Sequence, residues 1–289
     1  MTPLIIDAHQ HFWDPDQGDY AWLSGPFTPI RRVFGPADLR PELTQAGVRA
    51  TVLVQTWSSL AETQAFLALA ETVDFVAGVV GWVDLTAADI DRTLTLLKSV
   101  PGGRHLVGIR HQVHDEPDPD WLNRPDVRRG LAAVAGHGLV YDLLVRPREL
   151  PAALATVAAL PGLRFVIDHI AKPDIRSGED RVWAARIAPF ADHRAHVWCK
   201  LSGMVTEADW AHWQPADLKP FIDTVLRVFG PARCLFGSDW PVCQVAGGYA
   251  RVLAALRQGL AGLDAADQAR ILGGTALDLY HLDITEIPA

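Results

Sequence analysis

Sulfur is scarce in this chain of 289 residues, which has three cysteines and two methionines. Cys199, Cys234 and Cys243 are odd in number, far apart and without CxxC spacing. Neither a disulfide framework nor a zinc ribbon is therefore expected. Positive charge is short as well. Against 34 Asp and Glu stand 26 Lys and Arg, giving a net charge of −8 and a pI near 5.7, so no nucleic-acid or anionic-membrane partner is expected. No apolar run approaches the ~20 residues of a membrane span. Residues 1–12 show no cationic region ahead of their short apolar run, so no secretory signal is expected and the cytoplasm is the expected compartment. No GxGxxG or P-loop follows any apolar stretch, which argues against a dinucleotide or a nucleoside triphosphate. Linkers, charge runs and low-complexity tracts are missing too, so residues 1–289 read as one domain.

What the chain does have is alternation. Short β-branched runs at 4–9, 51–55, 75–82, 106–110, 139–144, 164–169, 197–202 and 234–238 read as strands. Amphipathic stretches such as 59–72, 87–99, 125–136, 148–160, 180–193 and 217–229 read as the helices between them. The strands are nearly continuous Val/Ile/Leu runs, as parallel strands buried on both faces should be. Eight strand–helix units in this length fit an α/β fold, a distorted (β/α)8 TIM-like barrel. A doubly wound open sheet fits less well, because it lacks its phosphate-binding turn. The longest irregular stretches, 10–36, 111–125, 170–179 and 203–216, each follow a strand and so belong to the face where barrels build sites.

Charged groups at the ends of buried strands need a reason. His9, His11, Arg110, Asp142, His169 and Asp239 come from five strand ends at one level, and this convergence makes them the candidate site. A strict period of two predicts that Asp7, His9 and His11 share one face, and that Asp168 points away from His169. His105, His137 and His196 precede strands, His193, His212 and His281 lie near helix ends or in the tail, and His114 sits in a loop; all read as structural. Trp13, Trp57, Trp82 and Trp240 follow strand ends and could wall a pocket. Trp183, Trp198, Trp210 and Trp213 read as packing, and Trp22 and Trp121 fit either group.

At these residues the chain resembles a known family. The segments IDAHQHFWD (6–14), GWVDL (81–85), GIRH (108–111), DHIAKP (168–173), KLSGM (200–204) and FGSDWP (236–241) occur in that order. Together they are similar to the amidohydrolase-2 branch of the amidohydrolase superfamily, and within it to the sugar and dicarboxylate lactonases. The resemblance implies a distorted barrel and a lactone ester hydrolase. It implies His9, His11, His169 and Asp239 as catalytic residues, with Asp239 as the base for water. Arg110, His111, Asp142, Trp13, Trp82, Trp240 and Lys172 are the expected substrate contacts.

Binuclear superfamily members carry a bridging lysine where this chain has Arg110, so two metals are not expected. The reaction needs no cofactor, or one divalent cation, zinc above others, on His9, His11, Asp239 and His169. The expected partner is a sugar-acid lactone such as L-fuconolactone or L-rhamnonolactone, on a monomer or homo-oligomer. Dicarboxylate lactones call for more arginines than Arg110, with Arg31, Arg32 and Arg146 as further possible contributors. A zinc-dependent decarboxylase or hydratase on the same fold and a non-catalytic binder are the alternatives.

Overall fold

Eight parallel strands hydrogen-bond in sequential order, β1 beside β2 through to β8. The computed structural model describes residues 4–285 and 287, so residues 1–3, 286, 288 and 289 of the expected domain lie outside the described residues. The strands are β1 (Ile6–Gln10), β2 (Ala50–Val54), β3 (Val76–Gly81), β4 (Leu106–His111), β5 (Val140–Leu143), β6 (Arg164–Ile167), β7 (Val197–Leu201) and β8 (Cys234–Phe236). Between them run α1 (Pro36–Ala46), α2 (Leu60–Ala70), α3 (Ile90–Ser99), α4 (Pro125–Gly136), α5 (Leu150–Ala159), α6 (Arg181–Ile187) and α7 (Pro215–Phe229). After β8 come α8 (Tyr249–Gly259), α9 (Ala265–Ala269) and α10 (Thr275–Tyr280). This is a single-domain (β/α)8 barrel. Among the described residues, no helix is long and apolar enough to cross a membrane.

The ring closes between β1 and the residues after β8. His11 N–H donates to the Trp240 carbonyl at 2.7 Å, and Asp239 N–H donates to the His9 carbonyl at 2.9 Å. Two apolar layers result. Ile6, Ala8, Val52, Val54, Val80, Val140, Val166 and Leu235 fill the barrel's inside together with Tyr280 of α10. Leu53, Val79, Ile109, Leu143, Ile167, Cys199 and Phe236 face outward and pack on the helices.

Two local departures from a strict period of two decide the site. The pairing of β1 with β2 shifts register between Asp7 and Gln10. Asp7 therefore does not share a face with His9 and His11. It turns outward, where Tyr249 of α8 donates to it at 2.9 Å, and it also accepts the backbone N–H groups of His9 and Ser238 at 3.1 and 2.8 Å. Burial raises its carboxyl to about 6. The second departure follows β6, where His169, Ile170, Ala171 and Lys172 all have φ between 50° and 63°. This turn, unavailable to a straight strand, lets adjacent Asp168 and His169 both reach the site, against the expectation that Asp168 points away.

Candidate active site

Three imidazoles gather around one carboxylate oxygen. The Nε2 atoms of His11, His169 and His9 lie 3.3, 3.8 and 3.9 Å from Asp239 Oδ1. Each ring is held by its other nitrogen, the arrangement that orients metal-binding and catalytic histidines. His11 Nδ1 donates to the Val54 carbonyl at 2.7 Å, His169 Nδ1 sits 2.9 Å from Ser202 Oγ, and His9 Nδ1 is 3.3 Å from Asp168 Oδ1. Glycines make the space. A Cβ on Gly237 would come within 2.6 Å of His9 Cβ, and one on Gly203, at φ 60°, within 2.5 Å of His169 Nδ1.

All four residues are buried. Burial lowers the basicity of the three imidazoles, with Lys200 and His11 adding to the effect at His9, Arg110 at His11, and His9 and Lys172 at His169. They are neutral near pH 7. Burial also raises the Asp239 carboxyl, but His169 and His11 outweigh it, so Asp239 titrates below the ordinary 3.8.

This donor set suits a cation. His9, His169 and Asp239 each offer a ligand atom, all within 4.8 Å of one another. Nε2 of His11 is bare because its Nδ1 carries the proton, and it faces His9 Nε2 at 3.1 Å. Two nitrogen lone pairs at that distance repel unless a proton or a metal ion lies between them. Three neutral imidazoles and one carboxylate are ligands zinc accepts.

Above this cluster opens a cavity of about 400 Å³. His11, His169 and Asp239 form part of its lining, as do Arg110, Lys172, Arg146 and His114. Arg110 is buried; its Nη1 donates to Asp168 Oδ2 at 3.1 Å and lies 3.2 Å from His9 Nε2, while Nη2 donates to the Gln55 carbonyl. Trp22, Phe27 and Trp210 make an aromatic wall from the loops after β1 and β7, with ring centroids 5.8 and 5.1 Å apart in sequence.

Several expected contacts lie elsewhere. Asp142 is fully buried below the imidazoles, bound by Lys200 and Tyr280, and cannot meet a substrate hydroxyl. Trp13 and Trp240 pack into the core against Phe34, because the loop after β1 folds back through the Trp13–Phe34 bridge. Trp82 donates to His111 Nδ1 at 3.0 Å, and His111 stacks on Trp121 and meets Glu116, so both are occupied outside this cavity. In their place stand Trp22, which fitted either group, Arg146, expected as a possible contributor, and Phe27, Trp210 and His114, which the sequence did not point to. These lie on loops whose path no periodicity predicts. Lys200 was also missed, although it opens the motif at 200–204. A lysine in a continuous apolar run was the available signal.

Fold and site together define a (β/α)8 barrel with an imidazole–carboxylate centre at the mouth, able to activate a water or hold a metal. The family model described as amidohydrolase matches residues 6–282, and the chain belongs to that family. It is 41% identical to an L-fucono-1,5-lactonase of Burkholderia ambifaria over 284 residues, 96% of each chain. With an L-fucono-1,5-lactonase of Burkholderia multivorans it shares 36% identity over 98% of this chain and 97% of that one. The crystal structure of an amidohydrolase from Burkholderia multivorans with bound zinc superposes with a TM-score of 0.91 at 35% identity, covering 97% of this chain and all of that one.

Proposed function

We propose that this protein hydrolyses a sugar-acid lactone of the L-fucono-1,5-lactone class. The observation that carries the reading is the convergence of three neutral imidazoles on ionised Asp239 at the floor of the cavity. It gains weight from 41% identity to an L-fucono-1,5-lactonase. Asp239 takes a proton from water as the water oxygen attacks the lactone carbonyl carbon. The tetrahedral intermediate collapses with cleavage of the carbon–ring-oxygen bond, and Asp239 returns the proton to that oxygen. The product is an open-chain aldonic acid, which ionises and releases one proton to solvent.

Arg110, from the cavity wall, stabilises the oxyanion through its forked guanidinium donors. His9, His11, His169 and Asp239 would hold one divalent cation, zinc by the chemistry of the donors. Such an ion, when bound, polarises water or carbonyl. Arg110 stands where a bridging lysine would serve a second ion, so one site is the proposal. Lys172 and the aromatic wall of Trp22, Phe27 and Trp210 contact the polyol. The cytoplasm remains the proposed compartment on the sequence alone.

One observation favours a second reading. Arg146 joins Arg110 and Lys172 on the cavity wall, giving the additional cation a dicarboxylate lactone would need. Lys172, however, is paired with Glu207 at 3.2 Å. A panel of aldonolactones and one pyrone dicarboxylate, followed by proton release with and without chelator, separates the two. We expect the aldonolactones to lead by at least about tenfold in kcat/KM. Preference for the dianion, or no lactone opening at all, would refute the proposal.

A further inference from the structure

Helix α2 opens on Ser59-Leu60-Ala61-Glu62, the spacing of a capping box. Half of that box forms: Ser59 Oγ accepts the Glu62 N–H at 3.3 Å. The other half does not. In a capping box the Glu62 carboxylate would accept the Ser59 N–H, but that N–H donates to the Trp57 carbonyl at 2.7 Å. The carboxylate reaches further back instead. Its Oε2 accepts the N–H groups of Thr56 and Trp57 at 2.9 and 3.1 Å. Its Oε1 accepts from the Thr56 hydroxyl and, at 3.2 Å, from the Tyr20 hydroxyl. Glu62 is buried, and among the described residues no cationic side chain pairs with it. A buried carboxylate without a cation is costly unless donors surround it. Here two different loops supply them.

Both loops wall the cavity. Thr56, on the loop after β2, lines it directly, and its carbonyl accepts from Gln112, which lines it too. Tyr20 lies on the loop after β1, where Trp22 and Phe27 follow it and line the cavity. Among the described residues, every other hydrogen bond of residues 14–24 stays inside that loop. The Tyr20 ring also sits beside Trp57, with centroids 6.5 Å apart. We propose that Glu62 is a positioning residue: through Tyr20 it latches the loop after β1 onto the loop after β2, and so sets where the Trp22–Phe27 wall stands over the cavity. Neither Glu62 nor Tyr20 lines the cavity, so both act through the residues they hold.

The test compares the full chain as wild type, Tyr20→Phe and Glu62→Gln. Hydrogen exchange of the backbone amides, read peptide by peptide in a mass spectrometer, needs neither metal nor substrate. Tyr20→Phe removes a hydroxyl and keeps the ring. Residues 14–31 should then exchange about 2- to 10-fold faster, as for the loss of one hydrogen bond, while the eight strands keep their wild-type rates. Glu62→Gln sets an amide N–H2 among donors, so it should loosen residues 14–31 further and residues 55–58 as well.

The kinetic readout rests on the lactonase reading. KM for L-fucono-1,5-lactone should rise about 3- to 10-fold in Tyr20→Phe and further in Glu62→Gln, while kcat stays within about twofold, because the imidazole–carboxylate centre is untouched. A residue that only stabilises the fold would lower the melting temperature and leave KM alone. A chain that opens no lactone defeats the lactonase reading alone, because the exchange pattern still decides the latch. Unchanged exchange at residues 14–31 in Tyr20→Phe overturns the proposal. So does faster exchange spread evenly over the barrel, or, in a chain that opens the lactone, an unchanged KM. If Glu62→Gln fails to fold, Tyr20→Phe decides.

Discussion

At the scale of single residues, Asp239 bears the heaviest chemical demand. It is held at φ 57°, in the left-handed region that a non-glycine residue occupies only when its surroundings insist. That backbone turn aims the carboxylate back at His11 and His169 rather than out of the barrel. Asp239→Asn keeps the shape and removes the proposed base, so kcat for lactone hydrolysis should fall at least ~100-fold with an unchanged unfolding midpoint. Steady-state turnover within a factor of a few of wild type would exclude Asp239 as the base. Arg110 meets a different demand. Its guanidinium faces the cavity while its nitrogens hold Asp168, Gln55 and His9. Arg110→Met should raise the barrel's barrier to hydrolysis by roughly 2–4 kcal/mol, the range for a lost oxyanion donor. A rise confined to KM would reassign it as a substrate anchor.

At the scale of elements, the strand-to-loop junctions decide how close the histidines can come. Gly203, just past β7, has a positive φ and lies against the His169 ring. Gly203→Ala must push that ring or strain the turn, so it should cost about 1–3 kcal/mol of stability and lower kcat more than it raises KM. Chemical denaturation and steady-state kinetics on the same preparation check both. Helix α10 presents a pH-dependent case. Burial raises the Asp142 carboxyl from 3.8 to about 6, against the pull of Lys200. Folding thus favours the protonated form, and the stability this group contributes is lost as pH rises through about 6. The Tyr280 hydroxyl donates to the ionised form and limits that loss. Tyr280→Phe should therefore destabilise by about 1–2 kcal/mol more at pH 8 than at pH 5, read from urea midpoints. An equal penalty at both pH values would mean that the hydroxyl serves packing alone.

At the scale of the whole molecule, the barrel brings positive groups into a protein of net charge −8. Arg110, Arg146 and Lys172 all line one cavity, where Asp115, Glu207 and Asp239 on the same lining balance their charge. The same enclosure keeps the imidazoles neutral and available as ligands. Elemental analysis should find at most one divalent ion per chain. Zinc at a hundred times its dissociation constant should raise the unfolding free energy by about 2.7 kcal/mol, an increment that chelator removes. Two stoichiometric ions would contradict the reading of Arg110.

The sequence by itself determined the eight strands, their parallel order and the set His9, His11, His169 and Asp239. Apolar runs of β-branched residues and charges placed at their ends are local signals, and local signals survive in one dimension. Helix α1 and the tail helices were not read, since α1 carries prolines at 36 and 41 and a weak amphipathic pattern. Which side a strand-end residue faces was decided elsewhere. A register shift in β1 turned Asp7 outward, and the left-handed turn after β6 brought Asp168 and His169 to the same centre. Trp13 and Trp240 went into the core and Trp22, Phe27 and Trp210 onto the cavity, because loops fold back along paths set by their contacts with one another. Asp142 and Lys200 look like two unrelated charges in the chain. Only the closed barrel, by removing water from both, makes each the partner the other requires.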